Sequence, residues 1–157
     1  MNASTFISNS FDGRAGSGMS RAELGHDGAW QLQVVAEAYD VRCLAADPKD
    51  SNQVYAGTQD RGVLRSTDAG ATWEPLGLEG LTVKSLAVDP QEPQTLYAGM
   101  KPAHLYISHD GGESWRESQG FRRIPGRWWW FSPAEGPFNA YVHAISVSPE
   151  DPTVILA

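Results

Sequence analysis

The chain has 157 residues, enough for one domain with a substantial core, and a formal charge of −7. An acidic balance of this size argues against a general nucleic-acid binder, whose surface is normally basic. The single cysteine, Cys43, offers no internal disulfide, no run reaches membrane-spanning length, and residues 1–16 lack the apolar core of a signal peptide. The expectation is a cytoplasmic protein that meets neither nucleic acid nor membrane. Ten Pro and sixteen Gly punctuate the chain at turn spacing and no helical periodicity is sustained, so the class is all-β.

Residues 1–40 read as a degenerate repeat, with Phe6-Ile7 in one strand and Ala29-Trp30-Gln31-Leu32 in a returning strand after a worn turn at His26-Asp27-Gly28. Residues 41–82 form a full repeat, with strands predicted near 41–46, 53–58, 62–67 and 71–76. Asp47-Pro48 ends its first strand, because Pro lacks the N–H that pairing needs. Residues 83–141 repeat the scheme at an offset of 42: Val41-Arg42-Cys43-Leu44 matches Val83-Lys84-Ser85-Leu86, and Tyr55-Ala56-Gly57 matches Tyr97-Ala98-Gly99. The small residues of that second strand let neighbouring strands crowd together. Cys43, inside an apolar strand, reads as a small buried hydrophobe and not as a nucleophile. Residues 142–157 begin a further copy at Val142-His143-Ala144-Ile145. All of this is one unit, 1–157.

Two stretches stand in the same register of the repeat: Ser66-Thr67-Asp68-Ala69-Gly70-Ala71-Thr72-Trp73 and Ser108-His109-Asp110-Gly111-Gly112-Glu113-Ser114-Trp115. In each, the Asp is expected to accept backbone N–H groups one and two residues on, and the Gly to supply the positive φ of a tight hairpin. Thr72 or Ser114 and the Trp then open the returning strand. These stretches resemble the Asp-box, or BNR, repeat of sialidases, sortilin-type receptors, xyloglucanases and photosystem II assembly-factor-like proteins. A period near 40 residues with four short strands per unit is the pattern of β-propeller blades. The resemblance implies four-stranded antiparallel meanders: two full blades, with partial blades at both ends. It also implies that Ser66, Asp68, Gly70, Thr72, Trp73 and their counterparts Ser108, Asp110, Gly112, Ser114 and Trp115 are structural. Blade 1–40 lacks a first strand, which closed propellers often supply from the other terminus.

One irregularity breaks the repeat. Trp73 precedes Val83 by 10 residues, but Trp115 precedes Val142 by 27, an insertion placed at 122–138. Connections of an up-and-down blade alternate between two faces, so the loops 58–62 and 99–104 and the blade-to-blade connections share the face opposite the Asp boxes. That face gathers Asp60, Arg61, Lys101, Arg122, Arg123, Arg127, Trp128, Trp129, Trp130 and Tyr141 as ligand-face candidates. Arginine offers a bidentate fork and tryptophan a stacking surface; the alternative is that the Trp run packs on the neighbouring blade.

The expected function is a ligand- or protein-binding and scaffolding module, its partner a protein or a carbohydrate. No cofactor and no metal are expected, since His26, His104, His109 and His143 are scattered. The alternative is a sialidase- or xyloglucanase-like glycoside hydrolase with its catalytic residues mostly outside this segment. Arg123-Ile124-Pro125 resembles the Arg-Ile-Pro element of sialidases, but Arg122 takes the place of its aromatic residue and it follows the second box instead of preceding the first. Hydrolysis needs two facing carboxylates, for which Asp60 and Glu135 are the candidates. The chain reads as a piece of a longer propeller, needing further blades or self-association to close a ring.

Overall fold

The computed structural model describes residues 4–8, 19–126, 129–130, 140–151 and 154–157. β1 (Ser4–Ser8), β2 (Met19–Leu24) and β3 (Trp30–Val35) form a three-stranded antiparallel sheet in sequence order. β4 (Val41–Ala46), β5 (Val54–Thr58), β6 (Val63–Ser66) and β7 (Glu74–Pro75) form a four-stranded meander. So do β8 (Thr82–Val88), β9 (Leu96–Lys101), β10 (Leu105–Ser108) and β11 (Arg116–Glu117). A four-residue helix, α1 (Gln119–Arg122), opens the insertion, and β12 (Ser146–Val147) pairs with β13 (Ile155–Leu156). These are propeller blades: two complete, one short of a strand before them and one partial after them. Both outer strands, β7 and β11, are shorter than the sequence predicts. Trp73 and Trp115 lie in the turn before them, because each Trp packs sideways on the preceding blade.

The core lies between blades, not within them. Alternate residues of a strand face opposite sides, so Ala56 and Leu64 join Met19, Val35 and Val41 on one side of the first full blade. On its other side Tyr55 and Val63 join Val83, Leu96, Ala98 and Met100. With both faces covered, β5 is buried along its whole length, and so is β9 except for Lys101. The Trp115 indole donates to the Leu76 carbonyl of the preceding blade at 3.0 Å, which binds the two blades as well as packing them. Arginines of β2 and β6 do the same work one blade apart. Arg21 donates to the Ala69 carbonyl at 2.9 Å, and Arg65 reaches Glu113 at 3.2 Å.

The Asp boxes are built alike and differ from the expected turn. Ser66 Oγ donates to Asp68 Oδ1 (2.8 Å) and accepts Gly70 N–H (2.8 Å), while Asp68 accepts the Thr72 N–H (2.8 Å) and hydroxyl (2.6 Å). In the second box the same four bonds are 2.7, 2.8, 2.9 and 2.5 Å. The carboxylate thus reaches four residues on, because two consecutive left-handed residues, Ala69-Gly70 and Gly111-Gly112, carry the chain around it. The shorter carboxylate-headed turn belongs to the Asp-Pro corner: Asp47 accepts Lys49 and Asp50 N–H, and Asp89 accepts Gln91 and Glu92 N–H. Ala69 N–H to the Asn52 carbonyl and Gly111 N–H to the Gln94 carbonyl join box to corner on one face.

Hydroxyl and then backbone hydrogen bonds from Thr72 and Ser114 hold the Asp68 and Asp110 carboxyls at about 2, below the ordinary 3.8. A depressed folded-state value contributes stability that is present above the unfolded value and lost as pH falls through the folded one. Thermal midpoints are therefore expected to drop as pH is lowered from 3.8 toward about 2. Asp68→Asn with Asp110→Asn should flatten that limb, and an acid limb as steep as the parent's would contradict the assignment.

Candidate functional site

At the end of the blades opposite the boxes, the inner strands begin, and here the ladders are irregular in the same way twice. Val41 pairs with Thr58 and Cys43 with Gly57, leaving Arg42 as the extra residue of a bulge. Val83 pairs with Met100 and Ser85 with Gly99, leaving Lys84 as the extra residue of a second bulge. A bulge re-aims the side chain it carries. In the third copy of this position stands His143.

All three basic side chains line one cavity of about 430 Å³, together with Tyr141, Leu86 and Ile145. Val142 anchors its third wall, since its carbonyl accepts Ser85 Oγ at 2.9 Å and its N–H donates to the Met100 carbonyl at 3.2 Å. Arg42 donates to Asp40 at 2.6 Å, and Lys84 Nζ sits 5.2 Å from the centre of the Tyr141 ring. The Tyr141 and His143 rings are tilted to each other at 5.8 Å. Burial, and then the charges of Arg42 and Lys101, pull the Lys84 ammonium below its ordinary value. Burial pushes the Cys43 thiol up to about 12, so it stands in the wall as a neutral group. No carboxylate is among the described residues lining the cavity. The arrangement can attract an anion and stack or cover an apolar group.

The candidates from the sequence divide among three places. Tyr141 lines the cationic cavity, and Lys101, paired with Thr82, contributes charge to it. Asp60 and Arg61 line a separate cavity of about 370 Å³ with Tyr39, Pro75 and Glu79. Arg122 approaches Glu117 at 3.7 Å, and Glu117 in turn contacts His104 Nδ1 at 2.6 Å. Arg123 is the exposed C-cap of α1. Trp129 is 68% exposed, whereas Trp130 packs edge-to-face on Phe121 at 5.7 Å. Arg127, Trp128 and Glu135 lie outside the described residues. Arg42 and Lys84 escape a reading of loops because they sit in strands, while His143 lies in the segment that precedes β12. Their signal is a basic residue at one register of three successive copies.

Stacked antiparallel meanders joined by Asp boxes define an Asp-box β-propeller. The family model for the BNR/Asp-box repeat matches residues 106–117, which hold the whole of the second box. Among solved structures the chain is similar to the GH74 enzyme of Niastella koreensis (TM-score 0.55, 22% identity, 83% of this chain and 20% of that one). It is also similar to an ancestral GH74 enzyme (0.60, 15%, 87% and 19%) and to YCF48 bound to D1 peptide (0.50, 12%, 66% and 33%). The chain therefore spans from about a fifth to a third of these proteins' length, and at these identities the likeness is one of fold. No curated protein matches it.

Proposed function

We propose that these blades act as a binding module that receives a peptide segment of a partner protein on the face opposite the Asp boxes. The observation that carries this reading is the convergence of Arg42, Lys84 and His143, from three successive copies of the repeat, on one cavity with no carboxylate among its described lining residues. Charge complementarity of this kind guides and orients a partner. YCF48, similar in fold, is a protein bound to a peptide in its solved structure, which agrees with a recognition role. The likeness to GH74 enzymes offers hydrolysis as the competing reading, but retaining or inverting chemistry requires facing carboxylates.

Two experiments on the full chain separate these readings. Selection from a displayed random-peptide library should enrich acidic sequences, and Lys84→Gln should weaken the selected peptides by about tenfold, the scale of a lost charge-assisted contact. Failure to enrich any peptide, with release of reducing sugar from a β-glucan, would overturn the proposal. In the insertion, Trp129→Ala should weaken peptide binding and leave unfolding unchanged, since that ring is exposed. Trp130→Ala should instead lower stability, by about 1 kcal/mol for the lost ring pair. The reverse pattern would mean that Trp129 is the packing residue.

A further inference from the structure

The cationic cavity carries a titratable group at the third of its three matched positions, and this gives it a more specific chemistry. We infer that it is a carboxylate-binding site whose affinity is set by protonation of His143, an inference that rests on the reading of this face as the binding face.

The argument begins with donors. Arg42 uses one guanidinium nitrogen on Asp40, while its Nε–H is buried without a hydrogen-bond partner. A buried donor without an acceptor is unfavourable, and a guanidinium fork beside an ammonium matches the two oxygens of a carboxylate. The remaining walls, Leu86, Ala144 and Ile145, are apolar and suit the hydrocarbon part of the residue that bears the carboxylate. Both cations are presented by bulges at one repeat position, so their placement is a property of the blade and not of a mobile loop.

Imidazole is the side chain here that changes charge between pH 5 and 8. Among the described residues, the ionisable groups lining the cavity with His143 are Arg42 and Cys43 on β4, Lys84 on β8 and Tyr141 on its own segment. Asp40, bonded to Arg42, and Lys101, at the end of β9, also act on Lys84. A carboxylate bound beside the imidazole would favour a proton on it. Proton and carboxylate therefore bind with mutual reinforcement, each strengthening the other by the same factor. One added charge at a partly exposed site should raise affinity on the order of fivefold between pH 7.5 and 5.5.

The test is an amide-shift titration of the isotope-labelled full chain with N-acetyl-leucine, N-acetyl-leucinamide and acetyl-Glu-Leu-amide. The free acid should move the amides of residues 42, 84 and 143 saturably, more tightly at pH 5.5, and the neutral amide should not. Binding of acetyl-Glu-Leu-amide would place the carboxylate on an acidic side chain, and binding of N-acetyl-leucine alone would place it at a chain end. His143→Gln should keep the affinity of pH 7.5 and lose the rise at pH 5.5. Arg42→Gln should lose binding at both pH values with unfolding unchanged. Equal shifts with acid and amide, no shifts with any probe, or a rise that survives His143→Gln would overturn the inference. Peptide selection by the whole face would stand or fall separately, since it is tested through Trp129→Ala as well.

Discussion

Gly99→Ala should destabilise the protein by roughly 3 kcal/mol, at the upper end of what overpacking costs in a dense core. A methyl group at Gly99 would stand 2.6 Å from both Cβ and Cγ1 of Val142, and closer still to Ser85 Oγ. Val142 is 4% exposed and anchored at both backbone groups, so it has little room to withdraw. The preceding blade has the same contact: a Cβ on Gly57 would lie 2.5 Å from Cys43 Sγ and 2.6 Å from Val83 Cγ1. Glycine in the second strand is therefore where one blade receives the first apolar residue of the next. Denaturant unfolding of Gly99→Ala, alone and with Val142→Ala, gives the coupling between the two sites. A partial recovery in the double variant is expected, since contacting residues are not additive. A Gly99→Ala midpoint equal to the parent's would show that the blades are not packed on this contact.

Gly99 illustrates what the sequence carries plainly. Tyr-Ala-Gly recurring at a fixed offset marks the second strand, and its crowding is a consequence of having no side chain. The Asp boxes are equally legible as turns, yet their hydrogen bonding is not. The two consecutive left-handed residues that let Asp68 reach Thr72 include Ala69, whose positive φ no composition rule anticipates. The short outer strands were hidden for a related reason. Trp73 has a strand former's propensity, but its ring is used on the preceding blade, and tertiary packing overrides propensity. The site is the least legible part. Asp60, Arg61 and the arginines of the insertion draw the eye because loops carry function. The two strand cations of the cavity, Arg42 and Lys84, are re-aimed by bulges, and a bulge leaves no mark in a single repeat. Only the alignment of Arg42, Lys84 and His143 across copies shows it.

The largest loss from a single methyl group is expected at Gly62, where Gly62→Ala should cost about 4 kcal/mol, a magnitude reserved for buried strain and collision together. Gly62 closes the hairpin between β5 and β6 at a φ of +66°, a region alanine adopts only with strain. Its Cβ would also collide with the Gly77 carbonyl and with the carbonyl group of Leu78, all of them backbone atoms. Backbone cannot rotate aside as a side chain does. The Gly77 carbonyl is moreover held by Val63 N–H at 3.0 Å, so moving it breaks the ladder. The same hairpin is locked by Thr58, whose N–H and hydroxyl both donate to the Gly62 carbonyl at 2.9 Å and whose Oγ1 accepts Arg61 N–H at 2.9 Å. Gly80 supplies the comparison: it has a φ of +77° but nothing within 4 Å of an added Cβ. Gly80→Ala isolates the conformational cost at about 1 kcal/mol. Its difference from Gly62→Ala in denaturant unfolding measures the collision alone. Equal losses at the two positions would mean that the connection 77–80 yields to the methyl group, and that the loop bearing Asp60 and Arg61 is not fixed by the blade beneath it.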